Sequence, residues 1–563
     1  MERRLLIAFA LSFLVIMLSR PLWEPARSPH VPSSSQGVPA KKSIEPGKTV
    51  TSPSQEPATE AVAEPKSADI DRLIEVETDL YKLTLSNREA VVRSWVLKRY
   101  TDSDGKPLDL INQRKADMFG YPLGLKIDKE EEAAQTLRKA LFFSASPPRL
   151  DLAFSAARSQ SVSFEFSERN LHVKKTLTFH QGSYTVDINC AVWLNARPSH
   201  FYLLWRSGFG DSTVDERMAV RRALYRSESK ITRLKANDVQ AEQEISDSFG
   251  FVALEDQYFA AVFLPAAGGP ITRIQISRDE YVPENAKKEE LLKAGVFGNA
   301  PDQGQFKLFV GPKDTEVLQQ AGHDLTELID YGWFAVVCKP LFFVLKGIYR
   351  YCNNYGLAII LLTILINLAL FPLRYKSIVS AQKMQKLQPQ MKLIQEKYKK
   401  LKATDPKKQQ MNSEVMALYK QHGVNPLGGC LPLLLQMPFF VAFYNLLSVS
   451  IELRHAPFVF WIKDLSAADK TFVLPILMTI SMIIMQKMTP TPSADPVQAK
   501  MMLAMPLVFG FMLAFTSSGL VLYWLTSNSV GVVQQYLMNK YRPSLANPSV
   551  KHGKKKVSQK SFP

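Results

Sequence analysis

"LAIILLTILINLALFPL", Leu357–Leu373, carries no charged residue from end to end. It is close to the roughly 20 apolar residues that cross a bilayer as a helix. It lacks the strict period-two alternation of a half-buried strand. A soluble domain would have to surround such a stretch on every side, whereas a bilayer does so by itself. One residue resists the hydrocarbon reading: Asn367, an amide with two donors and an acceptor. It follows Thr363 by four positions, so both lie on one helical face.

Further apolar runs crowd the C-terminal part of the chain, at Leu427–Ser450, Phe472–Gln486, Met501–Phe515 and Gly519–Leu537. With Leu357–Leu373 they predict five spans. A sixth is predicted at the N-terminus, where Arg3 and Arg4 precede the apolar run Leu5–Leu18. Ser19-Arg20-Pro21 follows in place of a small-x-small cleavage pattern, so residues 1–20 read as an uncleaved signal anchor. The loop from Arg374 to Gly423 is rich in lysine and opposes it with only Glu396, Asp405 and Glu414, and the tail beyond Lys540 is basic with no acid. Loop Glu452–Lys470 is nearly balanced. The positive-inside rule then places the N-terminus, the long basic loop and the tail in the cytoplasm, and six spans satisfy all three.

Residues 21–69 are rich in Pro, Ser, Ala and Glu and read as a disordered linker. From residue 70 to 325 the period changes to two. "SVSFEF", "LHVKKTLTF" and "SYTVDINCAVWLNA" alternate apolar and polar residues between turn-like breaks, which predicts a large antiparallel β-sandwich outside the cytoplasm. Residues 326–540 form the helical core. Within it, 331–352 is an amphipathic segment, with Lys339, Lys346 and Arg350 on one side and Phe334, Val337, Leu341, Leu345 and Ile348 on the other. It reads as an interfacial helix on the outer surface, the alternative being a lid on the β-domain. Residues 374–423 read as a cytoplasmic helical hairpin, with a heptad seam through Met384, Leu387, Met391, Ile394, Tyr398 and Leu401, a break at "ATDP", and a return through Met411, Val415 and Leu418. Residues 541–563 are a basic tail.

The 563 residues carry a formal net charge of +17, concentrated in the cytoplasmic segments. Cys190, Cys338, Cys352 and Cys430 have neither metal-ligand spacing nor the look of a disulfide framework. His172, His180, His200 and His323 form no motif, and there is no P-loop. No ionisable residue lies well inside the spans, so a proton relay is unsupported. The spans do hold uncharged polar groups: Thr363 and Asn367, Gln436 in "LLLQMP", and Tyr523, Ser527 and Gln534 on one face with Gly531 between. An unpaired amide in hydrocarbon costs several kcal/mol. These groups therefore bond to each other as interhelical glue or face a hydrated cavity, and the residues alone leave both open. Met478, Met482 and Met485, continued by Met501, Met502, Met505 and Met512, are either filler or an adaptable apolar surface.

"NPLGGCLPLLLQMPFFVAFYNLL" (Asn425–Leu447), "APFVFWIKDLSAAD" (Ala456–Asp469), "LPILM" (Leu474–Met478) and "SGLVLYWLTSN" (Ser518–Asn528) resemble the YidC insertases of double-membraned bacteria, and the likeness covers nearly the whole chain. The resemblance implies a polytopic α-helical inner-membrane protein of six transmembrane helices, with both termini cytoplasmic. It also implies a periplasmic antiparallel β-supersandwich related to mutarotase-like folds, and a cytoplasmic helical hairpin. The implied function is insertion and folding of nascent membrane proteins, alone or beside the Sec translocon, with no enzyme chemistry, cofactor, metal or small-molecule substrate.

By the same likeness a hydrophilic groove, open to cytoplasm and lipid, would contact the client through Thr363, Asn367, Gln436, Tyr523, Trp524, Ser527 and Gln534. An apolar slide would run along Met437, Phe440, Met478, Met482 and Met505. Lys554, Lys555 and Lys556 would touch the ribosome or anionic lipid. Asn367 stands where the family usually carries a groove arginine, which implies weaker electrostatic capture at that spot and a gain on Asn367→Arg. The competing classes are a transporter, which should show internal repeats and intramembrane ion sites, and a membrane-anchored carbohydrate-active domain.

Overall fold

The alternating segments fold as consecutive antiparallel strands, Ser159–Glu168, Leu171–His180 and Thr185–Leu194. On the first, Val162, Phe164 and Phe166 are buried while Ser161, Ser163 and Glu165 turn outward, as the pleat requires. The structure is a computed structural model and describes residues 66–214, 220–228, 230–239, 242–266, 269–282, 288–299, 304–398, 407–423, 431–488 and 496–541. The signal anchor, nearly all of the linker, the hairpin tip and the basic tail with Lys554, Lys555 and Lys556 lie outside these.

Among the described residues the strands form a 13-stranded and a five-stranded sheet. The two share one apolar core, with Trp95 facing Trp205 at 6.4 Å and Tyr81 facing Tyr184 at 6.5 Å between ring centroids. The pairing is antiparallel except where Leu73–Glu77 runs parallel to Arg149–Asp151, a departure from the all-antiparallel expectation. Helices α1 (Gln113–Phe119), α2 (Glu131–Lys139) and α3 (Thr315–Ala321) accompany the sheets. Asp314 caps α3 by accepting from the N–H groups of Glu316 and Val317. Lys175 is an exception inside the core. It is fully buried, its Nζ donates to the carbonyls of Ala90 and Leu123 at 2.9 and 2.7 Å, and burial pushes its amine down to about 8.

The core begins with α4 (Ala335–Cys352) and α5 (Tyr355–Ala369), then α6 (Phe371–Lys386), α7 (Gln388–Tyr398) and α8 (Lys407–Gln421). It ends with α9 (Leu431–Val449), α10 (Val473–Met488), α11 (Pro496–Leu513) and α12 (Ser518–Tyr541). The run Leu357–Leu373 is therefore not one straight span. Helix α5 stops at Ala369 and the chain bends by 62° into α6, where Pro372 can give no N–H to the preceding turn. The hairpin has three helices in place of two, because α6 continues through the basic segment before α7. Its seam is packed as the heptads predict, with Met384, Leu387 and Met391 buried against Tyr419, Val415 and Leu418.

By length and composition, one described helix, Gly332–Cys352, could cross a membrane alone, and α5 with α6 could do so as a bent pair. The stretches Gln436–Val449, Val473–Met488 and Ala504–Leu513 are apolar but shorter. The segment expected to lie in the interface is thus long and apolar enough to span, since Lys339, Lys346 and Arg350 are its only charged residues. Its Lys346 bonds Glu316 on α3 at 3.3 Å and Glu452 at 3.0 Å, tying the helix to the foot of the β-domain.

A buried seam holds the two parts together. Arg454, in the loop after α9, meets Asp211 of the β-domain at 2.7 Å, their side chains 5% and 2% exposed. Gln257 donates to the carbonyl of Ser448 at 2.6 Å, and Thr101 and His455 are hydrogen-bonded at 3.1 Å. Cys190, Cys338 and Cys352 are free thiols.

Candidate functional site

Helix α5 opens with Asn354, whose side chain accepts from the N–H of Leu357, and it carries its polar groups on one face. Thr363 is fully buried, and its hydroxyl donates back to the carbonyl of Ile359 at 2.6 Å. One turn on, Asn367 donates through Nδ2 to the carbonyl of Thr363 at 2.8 Å and to Ser527 Oγ on α12 at 3.3 Å. Gln436 of α9 donates to the same Ser527 Oγ at 2.7 Å, and Gln534 of α12 donates to the carbonyl of Asn367 at 3.4 Å. Three helices thereby bring their polar side chains to one place.

That place is a cavity of about 20 Å³, enough for a water, lined by Ile366, Asn367, Leu370, Arg374, Gln436, Phe439, Tyr523 and Ser527. Four of the seven expected groove residues line it: Asn367, Gln436, Tyr523 and Ser527. Gln534 supports Asn367 from behind, and Thr363 is satisfied by its own helix. Trp524 packs elsewhere, edge-on to Phe440 at 4.7 Å and beside Phe509 at 6.3 Å. Tyr523 stacks on Phe443 at 4.3 Å, which fixes its ring.

Arg374 is the residue that sequence reasoning misplaced. Counted with the cytoplasmic basic loop, it instead turns into the cavity, and its Nη1 donates to Asn367 Oδ1 at 3.1 Å. Two things bring it there. It follows Asn367 by seven positions, two turns along the same face, and the bend after Ala369 folds the start of α6 over the cavity. Gly531 provides the space, because a Cβ there would overlap the guanidinium. The position to which the resemblance gives an arginine is thus an amide, and a guanidinium reaches it from the next helix. A fixed cation at the border of an apolar bundle can hold a carboxylate or a carbonyl oxygen.

The expected slide is only partly available. Met478 is fully buried and Phe440 nearly so, so neither offers a free surface, whereas Met437 and Met482 are half-buried and Met505 is exposed. Among the described residues no group of His, Cys, Asp or Glu is arranged to hold a metal ion.

A helical bundle that is apolar outside, polar inside and joined to a large β-sandwich defines the class: a membrane protein whose helices turn polar side chains toward one another and apolar ones outward. Comparison with known proteins sharpens this. Residues 73–344 match the family described as YidC periplasmic domain, and residues 347–545 match the one described as 60Kd inner membrane protein. The membrane protein insertase YidC of Geotalea daltonii is 35% identical over 554 residues, covering 97% of this chain and all of that protein. That of Syntrophus aciditrophicus is 34% identical over 510 residues, covering 87% and 90%. The crystal structure of an active YidC insertase with its first transmembrane domain resolved aligns with a TM-score of 0.36 at 20% identity, covering 84% of this chain and 95% of that one. The chain belongs to the YidC family of membrane protein insertases.

Proposed function

We propose that this insertase passes the polar flank of a nascent membrane protein through the cavity beneath the α5–α6 bend, while the client's apolar segment leaves along the outer faces of α10 and α11. The observation that carries this reading is the convergence of Arg374, Asn367, Gln436 and Ser527 from four helices on one cavity. Polar groups and water at that depth shorten the hydrocarbon path a charged tail must cross. Arg374 adds a fixed positive charge that can pair with an acidic residue in transit. The driving energy comes from burial of the client's own apolar span and from the membrane potential, about 2.3 kcal/mol per charge per 100 mV. The remaining groove residues, Thr363, Trp524 and Gln534, act as supports.

In this reading the protein sits in the bacterial inner membrane with six spans and both termini cytoplasmic, supported by the lysine excess of the hairpin and tail. The β-sandwich stands in the periplasm, and α4 lies along the outer surface, as its Lys346 pairing with Glu316 and Glu452 favours. Helix α5 alone reaches about 22 Å at 1.5 Å per residue, so the membrane over the groove is thin. The partners are nascent membrane proteins, the Sec translocon, the ribosome and anionic lipids, the last two through the basic tail.

The test places a photo-crosslinking residue at Gln436 and irradiates membranes with ribosomes stalled on a single-span protein. Crosslinks confined to intermediate nascent-chain lengths are expected. No crosslink at any length, alongside crosslinks from the exposed Met505, would reject the cavity as a client path.

A further inference from the structure

The β-domain holds a second, larger cavity that plays no part in the groove. It encloses about 510 Å³ on one face of four adjacent strands, Gly124–Ile127, His200–Trp205, Glu289–Asn299 and Ile271–Tyr281. Its floor follows from register. Gly124, Leu204, Gly295 and Gln275 sit side by side in one row across these strands. Two of the four have no side chain, and a Cβ at Gly295 would overlap the Leu204 side chain. The space over Gly295 is taken by Leu204 and that over Gly124 by Arg206 and Glu89, so these side chains form the floor. Helices α1 and α2 raise walls beside it. Phe119 of α1 packs edge-on to Tyr281 at 6.3 Å, and Glu131 and Arg138 of α2 face the opening.

The lining is charged but balanced. Arg206 meets Glu89 at 2.5 Å and also donates to the carbonyl of Leu125 at 3.1 Å. Lys126 is paired with Glu242, and Lys293 with Asp279. Adding Glu131 and Arg138 leaves four carboxylates against four cations, a net charge of zero. Such a cleft draws neither anions nor cations, and it is too polar to receive an apolar segment. Its paired charges instead hold acceptor and donor atoms in fixed directions. A hydroxyl group, which both donates and accepts, can bridge a carboxylate and a neighbouring ammonium or guanidinium. Phe119 adds an apolar wall for a C–H face, and the volume suits a ligand of two or three sugar rings.

We propose that this cleft binds a neutral oligosaccharide, holding the β-domain to glycan on its own side of the membrane. The site is separate from the groove, so it stands or falls independently of the insertion pathway.

The full-length protein, reconstituted in nanodiscs free of glycoside detergent, would be titrated by calorimetry with maltotriose, cellotriose and chitotriose. A trisaccharide of uronic acids and a neutral polar peptide serve as comparators. At least one neutral trisaccharide should bind with Kd below about 1 mM. Ser277→Trp, which fills the cleft, should weaken it by at least about tenfold. The paired substitution Asp279→Asn with Lys293→Met, which leaves no lone charge, should do the same, and both variants should insert clients normally. No binding by any of the three sugars would overturn the proposal. So would tighter binding of a comparator, or an affinity that neither variant changes.

Discussion

The β-domain and the helical core invert one another. On strand Ser159–Glu168 the apolar residues point inward and the polar ones outward. On α5 the order is reversed: Leu361, Leu365 and Leu368 are 48–59% exposed, while Thr363 and Asn367 are buried. The same holds further along, where Ile476, Phe511 and Val533 are exposed and Ser481, Ser527, Gln534 and Gln535 are inside. Exposed apolar faces of this extent are unfavourable in water, at about 25 cal/mol per Å², and mark a surface made for lipid. One chain thus follows two solvents. In the β-domain water makes the polar surface cheap and packing supplies stability. In the core, lipid accepts the apolar surface and the interior is free to be polar.

The comparison is sharpest at the seam, where the two regimes meet through charges. Asp211 and Arg454 are buried together at 2.7 Å. Removing one partner of such a pair leaves an uncompensated buried charge, at about 3–5 kcal/mol. Arg454→Met should therefore lower the stability of the β-domain in intact protein by that order and open a protease-sensitive site near the loop after α9. Thermal unfolding and limited proteolysis would read both effects. A change below about 1 kcal/mol would show the seam to be peripheral.

Lys175 breaks the inside-apolar rule of the β-domain and predicts a pH effect. Its amine titrates at about 8 in the folded protein against 10.5 for the free group. Between these values the unfolded chain holds a proton that the folded one has lost, so stability attributable to Lys175 rises with pH, by up to about 1.4 kcal/mol per pH unit and about 3 kcal/mol in all. Below about pH 8 both states are protonated and the contribution is flat. The wild type should gain stability relative to Lys175→Met from pH 8 to 9.5 and run parallel to it from pH 6 to 7.5, in urea unfolding at each pH. A constant difference throughout would mean that the amine is not perturbed by burial.

How much of this was legible in the residues differs between the two regions. The strands could be read because the pleat has a period of two and one face meets a core. Even Lys175 falls on the inner face, between Val173 and Leu177. The seam could not be read, because Asp211 and Arg454 are 243 positions apart and neither stands in a motif. In the core, apolar runs located the helices but not which face each helix turns to lipid, hence the misplaced slide residues Met478 and Phe440. Arg374 was hidden by its neighbours. It begins a run of lysines on the same helix, α6, and only its place beside the bend sets it apart from them. The signal that could have found it was the seven-residue spacing from Asn367.

That residue supplies the next test of the inversion. Arg374→Gln keeps a hydrogen bond to Asn367 and removes the charge. Hydrogen bonds to charged groups are worth about 1.5–3 kcal/mol, so insertion of a client with an acidic translocated tail should fall by about tenfold or more, with a smaller effect on a neutral tail. Gly531→Leu should act in the same direction by displacing the guanidinium. Asn367→Arg alone would set two guanidinium groups side by side and should give no gain. Combined with Arg374→Gln it moves the cation back one helix and should restore most of the loss. Equal effects on both clients would remove the charge from the mechanism.

The smallest effect decides whether the polar interior is wet. Ser527 accepts from Gln436 at 2.7 Å and from Asn367 at 3.3 Å, so Ser527→Ala deprives two donors at once. In a dry bundle both bonds would go unreplaced, at about 1–3 kcal/mol for the Gln436 donor and less for Asn367, which keeps its bond to the Thr363 carbonyl. In a hydrated groove the space left by the hydroxyl joins the cavity beside it and a water takes over both bonds. The loss then shrinks to the value of interhelical glue, about 0.6 kcal/mol per bond. Unfolding of the variant in nanodiscs should show a loss near 1 kcal/mol, with insertion of both clients within about twofold of wild type. A loss of several kcal/mol would show that the same bonds hold the bundle shut, and the client path would then have to open by separating α5, α9 and α12.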